Sequence, residues 1–208
     1  LVVEEIRERP GGEILAVKSI STGDLNGRMS HASRETQEVV RVGDDAYRIE
    51  KTLFLPGANN ALEARERIQQ TERRKGDSQV EIEKTRYGIG LEGKWTPLER
   101  RVSQSRLGAD AIHSEEQVYR YGAEGQFLLA QRVRTEEWKD PAGEARMKSE
   151  VYVADLGGKL RLDTRISMTR RESGQEGQQT TETIEAFNPA APNGGLTLVG
   201  KVMEGVRS

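Results

Sequence analysis

A nine-residue phrase recurs along the chain, and its apolar positions keep a fixed spacing. Copies run Gly12 to Ile20, Asn60 to Ile68, Gly125 to Val133, Gly158 to Ile166 and Gly194 to Val202; a sixth, Gly93 to Val102, has one extra residue. Counting back from the closing β-branched residue, the shared positions are the last, the one four before it and the one six before it. The triplets are Ile20, Ala16, Ile14; Ile68, Ala64, Leu62; Val102, Leu98, Thr96; Val133, Leu129, Phe127; Ile166, Leu162, Leu160; and Val202, Leu198, Leu196. Only Thr96 among them is not apolar. Even offsets put all three on one face of a β-strand, because strand side chains alternate. A helix would need apolar residues at i, i+3, i+4 and i+7.

Phrase starts fall at 12, 60, 93, 125, 158 and 194, so the later intervals cluster near 33 residues. Between phrases lie further strand-like runs: Val80 to Glu83, Ile112 to Tyr121, Met147 to Ala154 and Thr180 to Phe187. Turn residues separate the runs, at Gly76-Asp77, Gly108-Ala109-Asp110, Asp140 to Gly143, Gly157-Gly158, Glu172 to Gly174 and Asn193 to Gly195. The longer first interval holds an extra hairpin, turning at Gly43-Asp44-Asp45 and continuing through Ala46 to Leu55. The pattern predicts an all-β fold. It is an antiparallel up-and-down meander of about twelve strands, built from repeated ~33-residue hairpins in one domain over 1–208, with a curled or elongated sheet.

Two segments resist. Residues 61–75 are rich in helix formers, with Asn60 as a cap and Gly76 as a stop; the repeat spacing reads them as strand. Gly93 to Val102 carries Pro97, which cannot donate to a ladder, and a β-bulge there would absorb the extra residue.

Composition sharpens this picture. Hydrophobic residues are 34% of the chain and charged residues 32%. That is too few apolar side chains for a thick two-layer core, so a thin sheet with a solvated face fits better. The formal net charge of −2 gives no global field for nucleic acid, and no nucleic-acid partner is expected. Cys is absent, which excludes disulfides, thiol catalysis and thiolate-bound zinc. No run of ~20 apolar residues exists for a membrane-spanning helix. The chain opens at Leu1, consistent with a trimmed product, and a secreted or periplasmic location is expected.

Familiar chemistry is missing. Gly88-Ile89-Gly90-Leu91-Glu92-Gly93 matches a dinucleotide fingerprint, but the motif needs a helix after it, and Trp95 to Arg106 reads as a strand. His113 and Glu115 share a strand face, yet two ligands do not close a metal site. Asp24-Leu25-Asn26-Gly27 begins like a calcium loop and lacks the closing Glu; it reads as a turn. No cofactor is expected.

Val118-Tyr119-Arg120-Tyr121-Gly122-Ala123-Glu124-Gly125-Gln126-Phe127-Leu128-Leu129 resembles the YD hairpin repeat of bacterial Rhs-type proteins, with a looser copy from Val151 to Leu160. The resemblance implies a β shell with a structural, extracytoplasmic role. The residues themselves leave three readings: a non-catalytic structural, scaffold or adhesive protein, which the repeat favours; a binding module for an extended polysaccharide or lipid on a concave sheet face; and an enzyme with scattered residues. Cations stand just before the closing residue at Arg67, Arg101, Arg132, Arg165 and Lys201. They form either a ladder for an anionic polymer or glycan, or cross-strand pairs with glutamates. Tyr119, Tyr121 and Trp95, with Trp138, Phe127 and Tyr152, either fill cross-strand pairs or stack a ligand. Open sheet edges would also permit a homo-oligomer.

Overall fold

The computed structural model describes residues 1–9, 13–23, 29–90, 92–173, 177–191 and 195–206. Thirteen strands form one antiparallel meander: β1 (Val2–Arg9), β2 (Glu13–Gly23), β3 (Met29–Gly43), β4 (Ala46–Pro56), β5 (Leu62–Lys75), β6 (Gln79–Ile89), β7 (Trp95–Leu107), β8 (Ala111–Tyr121), β9 (Phe127–Lys139), β10 (Ala145–Ala154), β11 (Leu160–Ser173), β12 (Gly177–Phe187) and β13 (Leu196–Val206). Each strand lies beside the next in sequence, so β1 and β13 are edges and the sheet is not closed into a barrel. No helix occurs among the described residues. The chain packs as two compact units. The first holds Leu1–Lys75, Glu81–Arg101 and Arg120–Phe127; the second holds Gly76–Val80, Val102–Tyr119 and Leu128–Ser208.

The strand count is thirteen rather than about twelve, and the added strand is β1. All eight of its residues are exposed. With no buried face, its sequence needs no alternation of apolar and polar residues. It pairs fully with β2 nonetheless, from Val2↔Ile20 to Arg9↔Glu13. The ambiguous segment 61–75 is strand β5, paired to β4 from Ala46↔Arg73 to Pro56↔Leu62. Helix propensity differs by only tenths of a kcal/mol among its residues, and ladder bonds to its neighbours outweigh it.

The phrases that start at Asn60, Gly93, Gly125 and Gly158 begin where a hairpin loop ends. Five loops share one hydrogen-bond scheme: Gly57, Gly90, Gly122, Asp140 and Asp155 each donate N–H to the carbonyl four residues on, and accept from the N–H three residues on. The third residue after each is left-handed, at Asn60 (φ 58°), Gly93 (72°), Gly125 (78°), Gly143 (82°) and Gly158 (79°). This is the three-residue loop in which a type I turn is followed by a left-handed residue. Glycine takes that conformation without a Cβ clash and Asn tolerates it. Asn60 is therefore a turn residue, not a helix cap. The glycines at 88, 90 and 93 likewise belong to a β6–β7 hairpin. Phrase starts Gly12 and Gly194, and the calcium-like stretch Asp24 to Gly27, lie outside the described residues.

The even spacing of the apolar triplet does not put all three side chains on one face in every copy. In β5 the register steps from Leu53↔Glu66 to Phe54↔Ala64, leaving Arg65 as an extra residue. In β11 it steps from Val151↔Thr164 to Tyr152↔Leu162, leaving Asp163. In β13 it steps from Ile184↔Gly200 to Glu185↔Leu198, leaving Val199. The extra residue stands three before the closing position each time. One inserted residue shifts the alternation by one. Ile68, Ile166 and Val202 thus face opposite to the two apolar residues before them. Across the sheet Leu162 does not stand in an apolar row: it pairs Tyr152, which pairs Arg132. In β2 no such step separates Ile14, Ala16 and Ile20 opposite β1, and that triplet keeps one face.

Burial is thin. Among the described residues only Val118 (5% exposed) and Ser149 (8%) are buried. Stability therefore rests on ladder hydrogen bonds and cross-strand pairs.

Candidate functional site: a groove at the strand ends

The bulges decide where the phrase cations point. Because Asp163 shifts the alternation, Arg165 lies on the same face as Leu160 and Leu162, not opposite them. Arg165 pairs Glu150 on one side and Glu185 on the other. Its guanidinium reaches Glu150 at 3.0 Å and Glu185 at 3.6 Å. Arg132 lies 3.4 Å from Glu115, which also accepts from Arg134 Nε at 2.9 Å. In the first unit Arg67 lies 3.3 Å from Glu50 and sits over the Trp95 ring, 5.0 Å from its centroid. Arg101 pairs within its own strand, with Glu99 at 2.8 Å. Lys201 faces Thr183 and has no ion pair among the described residues. The candidate aromatics are occupied too. Tyr121 packs edge-on against Phe127 at 5.2 Å, and Tyr119 donates to Gln117.

Glu150 is solvated by protein groups on three residues. It accepts from Lys148 (2.8 Å), Tyr152 (2.9 Å) and Arg165 (3.2 and 3.0 Å). The hydrogen bond from Lys148, followed by those from Tyr152 and Arg165, overcomes burial and holds its carboxyl at about 2. The same contact raises the Tyr152 phenol. Burial pushes Glu115 up, but Gln117, Arg134 and Arg132 outweigh it and hold it below the usual range. These groups neutralise one another, and each of the paired cations already lies beside a carboxylate.

The opposite face of the second unit differs. Its register gives successive rows: Lys139, Ala145 and Arg170; then Glu137, Met147 and Met168; then Thr135, Ser149 and Ile166. The first two rows floor a groove of about 500 Å³ whose lining is mostly apolar. The β7–β8 turn, from Leu107 to Ile112, supplies the remaining wall. Trp138 and Arg146 also border it. By alternation they belong to the other face, so the groove reaches the strand ends. Leu107 is 56% exposed and Ile112 41%, although both are large apolar side chains. Arg146 is held by Asp140 at 2.8 Å and Glu144 at 3.4 Å, which fixes the neighbouring β9–β10 turn. Lys139 and Arg170 have no ion pair among the described residues.

Of these groove residues sequence reasoning singled out Trp138 alone, as an aromatic candidate for stacking a ligand. Met147 and Met168 are far apart in sequence, and only the β10–β11 register brings them together. The available signal was an apolar residue at each of two strand ends. A second, more polar notch of about 290 Å³ lies at Arg106, His113, Glu115 and Arg134. Its Arg134 is taken by Glu115, and His113 Nδ1 is 3.7 Å from Glu136. Among the described residues no group of three or more His, Cys, Asp or Glu side chains is placed to hold a metal ion. No helix there is long and apolar enough to cross a membrane.

No family model matches the chain, and the comparison with curated proteins gives no match. A solved structure similar to it is a protein of unknown function from Bacteroides fragilis NCTC 9343. Their sequences are 10% identical over 90% of this chain and 91% of that one, with a TM-score of 0.31. So distant a likeness names no family for the chain.

Proposed function

We propose that the chain is a non-catalytic β-hairpin module whose repeated strands form a scaffold for one apolar binding groove. The observation that carries this reading is the groove itself, where Leu107, Ile112, Met147 and Met168 line a sheet otherwise dominated by ion pairs. Its volume lies within the range of small-molecule sites, roughly 300–1,000 Å³. Methionine is unbranched and polarizable, so it adapts to flexible ligands. Burying one methylene contributes about 0.8 kcal/mol. Roughly ten methylenes held in the groove give about 8 kcal/mol before the costs of ordering. Subtracting about 4 kcal/mol of those costs leaves about 4 kcal/mol, a millimolar affinity. The structural, extracytoplasmic and bacterial setting that the resemblance to Rhs-type hairpins implies is compatible with a lipid-binding module of this kind.

The test uses a neutral alkyl probe, dodecanol carrying a quencher, on a Trp95→Phe background in which Trp138 is the sole Trp. Saturable quenching of Trp138 is expected. Met147→Gln with Met168→Gln should weaken it at least tenfold, since polar amides of similar length replace the apolar floor. Absence of saturable quenching, or quenching indifferent to the double change, would overturn the reading.

A further inference from the structure

The row at the mouth of the groove carries a charge pattern that the apolar floor does not need. Ala145 pairs Lys139 on one side and Arg170 on the other, so the three side chains stand side by side on one face. Lys139 and Arg170 are two strands apart, roughly 9.5 Å, with only a methyl group between them. Both are exposed, both line the groove, and neither has an ion pair among the described residues. The lining also carries Asp110 and Glu137; no ion pair joins either carboxylate to Lys139 or Arg170. Arg146, the third lining cation, is already held by Asp140 and Glu144. One row inward, Met147 pairs Met168, and the apolar wall of Leu107 and Ile112 stands alongside. A positive mouth over an apolar floor matches a ligand with a negative head and an alkyl tail.

Resting on the groove as the binding site, we infer that its occupant is a free single-chain fatty carboxylate. The carboxylate lies above Ala145 between Lys139 and Arg170, and the tail runs over Met147 and Met168. Ala145 leaves the space that a larger side chain would fill. A guanidinium accepts a carboxylate in a two-pronged hydrogen bond, and the ammonium supplies a second positive charge. A groove of about 500 Å³ holds a ligand in the small-molecule range, which suits one chain better than the two of a membrane diacyl lipid.

The experiment compares dodecanoate, dodecanol and dodecyltrimethylammonium with the intact chain, by calorimetry at low salt. Dodecanoate should bind about tenfold tighter than dodecanol, and the cationic chain weakest. In the Lys139→Gln/Arg170→Gln variant dodecanoate affinity should fall to that of dodecanol, while dodecanol affinity stays unchanged. Ala145→Phe should block dodecanoate and leave the melting temperature within a few degrees. Equal affinity for acid and alcohol in the parent, or a preference that survives the double variant, would overturn this inference and leave the groove standing. Failure of both chains to bind would sink the groove reading as well. Vesicles of anionic diacyl lipid should not bind. If they bind and dodecanoate does not, the source is a membrane surface and the inference is wrong.

Discussion

Glu150→Gln removes the charge at the centre of the second unit's polar face and keeps the size of the side chain. The folded carboxyl sits at about 2, against 4.5 for an unperturbed one. At about 1.36 kcal/mol per pH unit, that gap corresponds to about 3 kcal/mol. Screening lowers it, because Lys148 is 43% and Arg165 34% exposed; about 1–2 kcal/mol is the expected loss at pH 7. The sign follows from linkage. A carboxyl whose folded value is depressed stabilises the fold fully above 4.5, and loses that contribution as the pH falls through about 2. The gap between parent and variant should therefore shrink on acidification, to less than half of its neutral value by pH 3. Urea melts of both proteins at pH 7, 5, 4 and 3 measure it. A gap that is constant across this range, or absent at pH 7, would refute the role given to Lys148, Tyr152 and Arg165.

Other expectations follow from register and turn chemistry. Ser149→Cys with Ile166→Cys should oxidise to a disulfide, because these partners share a face. Ser149→Cys with Arg165→Cys should not, since their Cβ atoms point to opposite sides; mass spectrometry after mild oxidation separates the two. Gly158→Val should destabilise by roughly 1–2 kcal/mol or more in thermal melts, because a β-branched residue resists the left-handed loop position. Asn60→Gly, at the equivalent position of another loop, should be nearly neutral. Arg132→Gln with Arg165→Gln should lower stability by about 1 kcal/mol. The parent should show no salt-sensitive binding to heparin-like polymers, and strong binding lost in the variant would restore the polymer-ladder reading.

The meander was legible because two independent signals agreed. Alternating apolar residues marked strands such as Leu160–Ser173, and Gly or Asn marked the loops, as at Asn60 and Gly158. Edge strand β1 was illegible because an exposed strand imposes no alternation. The bulges were illegible for another reason. Arg65, Asp163 and Val199 share no residue type, and a bulge is a property of two strands in register, not of one sequence. That single-residue offset reversed the assignment of the cations relative to their leucines. The groove stayed hidden for the same cause, since pairing alone aligns Lys139, Ala145 and Arg170.

A closed barrel has a strand number tied to its tilt and stagger, so a hairpin cannot be added without refitting the whole ring. The meander described above is open between β1 and β13 and carries no such condition. Duplication of one ~33-residue hairpin would insert two strands and leave every other ladder as it was. The length of such a chain is thus a freely variable trait, changed by whole units at little cost to folding. The mouth formed by Lys139, Ala145 and Arg170 is not portable in this way. It draws on three successive strands, β9, β10 and β11, so duplication of a single hairpin copies only part of it. Tandem growth would lengthen the scaffold while the number of groove mouths stays at one.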